Sequence, residues 1–260
     1  MSAGPLALPL LGASPDSPFP PPASALREPD GLLAVGGDLA PTRLINAYRH
    51  GIFPWFSQGQ PILWWSPDPR MVFRTDGVGL STRFRRTLRK SRWTLRADTA
   101  FAEVVSACAS VPRSGQRGTW ITPAMRAAYL ALHRLGHAHS VEVYDEGTLA
   151  GGIYGVAIGR MFFGESMFNA RSGGSKVALA GLARMLHRWG WPLVDAQVES
   201  QHLVSLGANA MPREDFLRRV GALVDMAEPS GPWTARFGEW PATSLAETPA
   251  FCAGPGCVSE

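Results

Sequence analysis

Apolar positions recur at helical spacing in five stretches of the chain. From Pro41 to Arg49 they place Leu44, Ala47 and Tyr48 on one side, with Gly51 just beyond, which predicts a short helix with a glycine stop. Asp98 is positioned to cap a helix with Phe101, Val104, Val105 and Cys108 on one face. Thr122-Pro123 starts another, carrying Met125, Tyr129 and Leu132 and stopped by Gly136. A fourth runs from about Ser175 to Trp189 with Leu179, Leu182, Leu186 and Trp189 inward, and a fifth from Arg213 to Met226 with Phe216, Val220 and Leu223. Elsewhere the period is two. HSVEVYD (139–145) alternates as a strand, DEGT is turn-like, and TLAGGIYGVAIGRMFFGESMF (148–168) continues as strands with a turn at Gly159-Arg160. PLVDAQ (192–197) reads as a short buried strand.

The first third breaks these periods. GIFPWF (51–56) and PILWWSPDPR (61–70) hold too many prolines for a central strand, so packed loops and edge strands are expected. Residues 1–26 read as a Pro-rich N-terminal extension and residues 228–260 as a Pro/Gly-rich C-terminal tail, both expected to be poorly ordered. Between them lie a small irregular N-terminal domain (27–72) and a larger domain (73–227). The expected class is α+β, with the small domain packed on a mixed sheet. Two helices, a hairpin, a helix, a strand and a helix resemble the element order of acetyltransferase-like (GNAT-like) folds, a likeness of fold that does not fix function.

Composition narrows the class. With 45% hydrophobic and 18% charged residues the chain is an ordinary globular one, neither coiled coil nor wholly disordered. No apolar run reaches the length of a membrane span, and the first basic residue, Arg27, follows a start without a signal peptide's charged region. A cytoplasmic protein with no membrane partner is expected. Three cysteines (Cys108, Cys252, Cys257) are too few for a disulfide framework, and no zinc site is expected at the CAGPGC tail.

Charge is more informative in its distribution than in its sum. The excess is +4, from 25 basic and 21 acidic residues. Seven of those cations (Arg83, Arg85, Arg86, Arg89, Lys90, Arg92 and Arg96) fall in one run, with no Asp or Glu from Gly77 to Ala97. Such a concentrated field suits a polyanion such as nucleic acid; a solvated surface face is the plainer alternative.

Common catalytic signatures are missing. There is no GxxxxGKS or GxGxxG loop for nucleotide phosphates. Ser166 in GESMF lacks the second glycine and the strand-turn-helix setting of a nucleophile elbow. His133, His137 and His139, followed by Glu142, span a helix end and a strand start, so packing and surface roles are expected in preference to a metal site.

The stronger signal is an ordered set of blocks: EPDGLLAVGGDL (28–39), AYRHGIFPWF (47–56), PILWWSPDPR (61–70), TWIT (119–122), GHAHSVEVY (136–144), GGIYGVAIG (151–159), FFGESMF (162–168), DAQ (195–197) and SLGA (205–208). Together, over roughly residues 19 to 226, they resemble the leucyl/phenylalanyl-tRNA protein transferases. The resemblance implies a monomeric bacterial enzyme without metal or cofactor. It would move Leu, Phe or Met from aminoacyl-tRNA to the α-amine of proteins beginning with Arg or Lys, marking them for degradation.

The resemblance also assigns roles. Asp195 and Gln197, two apart on a strand and so on one face, match a hydrogen-bonded relay in which Asp195 polarises Gln197 to orient the attacking amine. Glu165 would sit near the basic first residue or the amine. Ile153, Phe162, Met167, Leu179 and Leu182 match the pocket for the Leu or Phe side chain; plain core is the alternative. Family members often carry Met at the Ile153 position, an aromatic at Leu182 and Cys at Ala196. Trp55 and Trp120 would sandwich the terminal adenosine, with Tyr48 and Tyr129 nearby. Arg83, Arg85, Arg86, Arg89, Lys90 and Arg92 would follow acceptor-stem phosphates. SGGSK (172–176), with Ser175 and Lys176 opening a helix, offers backbone N–H groups to a phosphate near the 3′ end. The alternatives are a non-catalytic RNA-binding module, an aminoacyl-tRNA-dependent cell-wall peptide ligase and, more weakly, a coenzyme A-dependent acetyltransferase.

Overall fold

The computed structural model describes residues 8–111, 119–229 and 231–247. Four short strands, β1 (Leu10–Leu11), β2 (Leu32–Gly36), β3 (Phe53–Pro54) and β4 (Leu63–Trp65), form a sheet in the order β1-β2-β4-β3. Helix α1 (Pro41–Arg49) lies between β2 and β3 in the chain, with proline in its first turn and Leu44, Ala47 and Tyr48 buried as expected. Trp64 in β4 is fully buried, its indole N–H donating to the Gly36 carbonyl at 2.9 Å.

An eight-stranded mixed sheet carries the rest, in the order β11-β5-β10-β9-β8-β7-β6-β12. Its strands are β5 (Arg70–Arg74), β6 (Trp93–Ala97), β7 (Ala138–Asp145), β8 (Thr148–Ile158), β9 (Met161–Asn169), β10 (Leu193–Gln197), β11 (Asn209–Met211) and β12 (Trp240–Pro241). All neighbours run antiparallel except β9 and β10, which are joined by the crossover helix α5 (Gly174–Arg188). The helices α2 (Thr82–Leu88), α3 (Phe101–Ser110), α4 (Pro123–Arg134), α6 (Gln201–Ser205), α7 (Arg213–Val224) and α8 (Thr234–Phe237) complete the fold. One core joins α3, α4 and α7 to the sheet and to α1. A second lies under α5. Strand β8 is buried on both faces from Ala150 to Ile158, so its apolar run does not alternate.

Several expectations are corrected. Residues 8–26 are packed: β1 pairs in parallel with β2, and Phe19 meets Trp64 edge-on at 4.9 Å. The fully buried Arg43 ties this strap down, donating from Nη2 to the Gly12 and Ser14 carbonyls at 2.8 and 2.5 Å and pairing with Asp38. Residues 231–247 are likewise folded: Trp233 is buried and β12 pairs with β6. Cys252 and Cys257 lie outside the described residues. The proline-dense PILWWSPDPR does not end in an edge strand, because Pro69 only precedes β5, which sits between β11 and β10 and donates normally.

Asp98 does not cap α3. Its φ is +57°, and its carboxylate instead accepts the backbone N–H of Ser140 (2.9 Å) and Trp233 (2.7 Å) and pairs with His139 (2.8 Å). Against the opposing effect of burial, the His139 bond and then those backbone bonds hold its carboxyl below the usual range. Of the other histidines, His133 stacks on Phe101 and pairs with the Ala138 carbonyl, while the His137 carbonyl accepts from Ala157. Among the described residues no helix is long and apolar enough to cross a membrane.

Candidate active site

Strands β5, β10 and β9 lie side by side; β10 and β9 each bring a carboxyl group, Asp195 and Glu165, to one cavity, and β5 brings the arginine that pairs with Asp195. Arg70 opens β5 and is fully buried. It reaches Asp195 of β10 through two parallel bonds, Nε to Oδ1 at 2.8 Å and Nη2 to Oδ2 at 2.7 Å, and donates from Nη1 to the Gly51 carbonyl at 3.0 Å. Its guanidinium lies between the rings of Phe53 (4.7 Å) and Phe216 (4.6 Å). Asp195 is also fully buried, so neither charge is stable there without the other.

The expected Asp195–Gln197 relay is corrected by this geometry. Asp195 Oδ1 accepts the backbone N–H of Gln197 at 2.8 Å and does not touch its side chain. The bond holds a bulge at the end of β10, where Gln197 takes φ +62°, a conformation costly for a side-chain-bearing residue unless surroundings fix it. The bulge swings the Gln197 amide toward Glu165 of β9, to which Nε2 donates at 2.9 Å. Because the amide nitrogen is committed to a carboxylate, its oxygen is the atom left to meet a substrate donor.

Glu165 is saturated. Tyr48 of α1 donates to Oε1 at 2.7 Å, and Tyr129 of α4 donates to Oε2 at 2.5 Å. The two hydroxyls lie 3.2 Å apart, and both tyrosines are fully buried. Tyr48 and Tyr129 therefore hold the carboxylate from behind and do not flank a base, as the sequence suggested. Burial, and after it the Glu165 charge, pushes both phenols well above their usual range. Burial also raises Glu165 to about 7, against the lowering effect of its tyrosine partners. The α1 and α4 hydroxyls meeting one carboxylate explain how the small sheet region reaches the chemistry of the large one.

Above this floor is an open cavity of about 650 Å³. Trp55 and Trp120 line it, as do Ile153, Met167 and Leu179, together with Glu165, Asp195 and Gln197. Trp120 is 9% exposed and Trp55 half-buried, held where its carbonyl accepts the Trp65 indole N–H at 2.7 Å. Phe162 and Leu182 do not line the cavity. Both are 1% exposed and belong to the core under α5, which also holds the lining residues Ile153 and Leu179. Sequence reasoning missed Arg70, Phe53, Ser200 and His202, all at this site. For Arg70 the signal was a cation at the start of a strand with apolar neighbours.

The basic run and the SGGSK segment are less uniform than the sequence implied. Arg83, Arg85 and Arg86 lie on α2, followed by Lys90 in the turn beyond it. None of the four makes an ion pair among the described residues. Arg89 donates to the Ala246 carbonyl at 3.1 Å, Arg92 pairs with Glu146 at 2.5 Å and Arg96 with Glu239 at 3.0 Å. Ser175 is 1% exposed and its N–H is taken by Asn169 Oδ1 at 2.8 Å, so it offers nothing to a phosphate. The glycines of SGGSK serve packing: Gly174 lies against Gly151, where a Cβ on either would approach the other's backbone to within 3 Å. Lys176 remains half-buried and without an ion pair among the described residues.

Among the described residues no group of three or more His, Cys, Asp or Glu side chains is placed to hold a metal ion. The leucyl/phenylalanyl-tRNA protein transferase family model matches residues 72–221, and the model of that family's N-terminal domain matches residues 37–68. A leucyl/phenylalanyl-tRNA protein transferase of Xanthomonas euvesicatoria pv. vesicatoria is 69% identical over 92% of this chain and 96% of its own. The corresponding protein of Xylella fastidiosa is 63% identical over 88% of this chain and 95% of its own. Among solved structures, a GCN5-related N-acetyltransferase from Kribbella flavida covers 64% of this chain and 58% of its own at 10% identity and a TM-score of 0.35, too distant to bear on activity. The chain belongs to the leucyl/phenylalanyl-tRNA protein transferase family.

Proposed function

We propose that this chain is an aminoacyltransferase that moves Leu, Phe or Met from aminoacyl-tRNA to the α-amine of proteins beginning with Arg or Lys, marking them for degradation. The observation that carries the reading is the composition of the cavity: two tryptophans, an apolar wall and a fixed carboxylate-amide pair in one space of about 650 Å³. Each part suits one substrate element. Trp55 and Trp120 offer stacking faces for the unpaired terminal adenosine. Ile153, Met167 and Leu179 accept an apolar side chain. Glu165, the cavity carboxylate without an ion-pair partner, supplies negative potential for a basic first residue in its ionised form, which is favoured above about 7.

The chemistry asks little of a base. An aminoacyl ester is already activated, and an α-amine of pKa about 7.7–8.0 is partly neutral near pH 7. Most of the acceleration then comes from holding amine and carbonyl in attack geometry. Gln197 does this by accepting an amine N–H on Oε1 while Glu165 fixes its Nε2. Asp195 acts one step back, through the Gln197 backbone. Arg83, Arg85, Arg86 and Lys90 supply sequence-independent attraction for phosphates, and Lys176 adds to it beside the cavity. The enzyme acts in the cytoplasm as a monomer. Family membership disfavours a non-catalytic RNA-binding role. Incubation with Phe-tRNA and an Arg-initiated peptide tests all of this. A peptide gaining Phe at its N-terminus is expected; binding of tRNA without transfer would overturn it.

A further inference from the structure

Three acidic or imidazole side chains line the cavity: Glu165, Asp195 and His202. Two are fully committed. Both oxygens of Asp195 are held by Arg70, and Glu165 accepts from Tyr48, Tyr129 and Gln197. His202 differs. Its imidazole makes no hydrogen bond among the described residues, although its main chain is fixed by the Ser205 hydroxyl bond to its carbonyl at 2.7 Å. Its helix α6 begins four residues after Gln197 and is capped by Ser200 Oγ, which accepts the Leu203 N–H at 3.2 Å. Gln197, Val198, Ser200, His202 and Leu203 all line the cavity, so the bulge at Gln197 and the segment capped at Ser200 bring the orienting amide and the His202 side chain to the same cavity.

We infer that His202 is the proton shuttle of the aminoacyl transfer: its free ring nitrogen accepts a proton from the attacking amine and returns it to the departing ribose oxygen. The balance closes. The amine nitrogen bonds to the ester carbonyl carbon, the bond from that carbon to the ribose 3′ oxygen breaks, and one proton passes from nitrogen to that oxygen through the imidazole. No other reactant is consumed. This step rests on the aminoacyltransferase reading above.

The surroundings suit a neutral imidazole. His202 is exposed at the cavity wall, and its partial desolvation and then the charge of Lys176, at the start of α5, hold it below the usual histidine range, so at pH 7 it has a lone pair to offer. The other charged groups around it are Glu199 in the preceding loop and, on the cavity floor, Glu165 and Asp195, the latter offset by Arg70.

The test is single-turnover Phe transfer from Phe-tRNA to an Arg-initiated peptide by His202→Gln and His202→Ala, with melting curves and the affinity of a phenylalanyl-adenosine fragment measured alongside. Both variants should melt like the parent and bind the fragment equally well. Both should transfer about 100-fold more slowly, within the range of a lost general acid-base group. The parent's limb below pH 6.5 should vanish while the limbs from Glu165 near 7 and from the amine near 7.7–8.0 stay, and added imidazole should restore His202→Ala. A limb below pH 6.5 that persists in both variants, or a rate loss matched by an equal loss of fragment affinity, would overturn the assignment. A parent that transfers nothing from Phe-tRNA would instead remove the aminoacyltransferase reading itself.

Discussion

The cavity floor and helix α2 are both dense in charge, and burial sorts them into opposite roles. On the floor, Arg70, Asp195, Glu165, Tyr48 and Tyr129 are all at most 9% exposed and every charged atom has a donor or acceptor. On α2, Arg83 and Arg86 are exposed and make no ion pair among the described residues. In the first region a charge is useful because its position is fixed, and in the second because its field is free. Removing one partner on the floor leaves a buried charge uncompensated, whereas removing one arginine from α2 costs the fold almost nothing.

Asp195→Asn breaks the floor most severely, since Arg70 keeps its charge in an apolar setting between Phe53 and Phe216. Denaturant unfolding should show a loss of about 3–5 kcal/mol. Arg70→Met combined with Asp195→Leu should recover most of it, because both charges leave together. If Asp195→Asn unfolds at the parent's midpoint, the two regions do not differ as described.

Next comes the Glu165 cage. Tyr48→Phe deletes one donor to a buried carboxylate and should cost about 1–3 kcal/mol. Since that donor opposes the upward push of burial, its loss should move Glu165 above about 7. The parent has its own pH signature. A carboxyl raised from 4.5 to about 7 favours the folded state while protonated, so its contribution is present below pH 4.5 and is lost as pH rises through about 7. Glu165→Gln should flatten that portion of the stability profile, as read from unfolding midpoints across pH 4 to 8.

A third variant, Trp120→Ala, sharpens the boundary between floor and mouth. A phenylalanyl-adenosine fragment too short to reach α2 should bind more weakly by about 1–3 kcal/mol. Unchanged fragment affinity with a lowered melting point would make Trp120 part of the core alone. The smallest effect on the fold belongs to α2. Arg83→Glu, Arg86→Glu and Lys90→Glu together should leave unfolding within about 0.5 kcal/mol of the parent per site. They should weaken every tRNA alike and lower the salt slope by about one unit per lost phosphate contact. A loss confined to one tRNA would contradict a field-only role.

The same division governs what the sequence made legible. Helices α1, α4, α5 and α7 follow from apolar period and end signals, and the aromatic blocks carry the family resemblance. The residues at the site were also visible: Trp55, Trp120, Glu165 and Gln197 line one cavity. Which group each of them touches was not visible. The two-residue spacing of Asp195 and Gln197 predicts a shared face, but the bulge between them breaks the alternation, and the partner of each arrives from elsewhere in the chain. Arg70 lies 125 positions from Asp195, and Tyr48 lies 117 from Glu165. Phe162 and Leu182 are hydrophobic in the way that both a pocket and a core require, and their residue types alone do not separate the two. The packed ends were missed because proline and glycine removed the periodic signal while Leu11 and Trp233 still found cores to enter.

The central claim is that Asp195 is structural, locked by Arg70, and that Gln197 held by Glu165 orients the amine. The most direct test is the pH profile of single-turnover Phe transfer by Asp195→Asn, recorded well below its melting temperature. The claim predicts a slower reaction whose profile runs parallel to the parent's, because the oxygen of the substituted amide still accepts the Gln197 N–H and no ionisation on the reaction path has changed. Strong recovery of the variant at alkaline pH, where the amine deprotonates unaided, would show that the Asp195 charge drives proton removal and would contradict the claim.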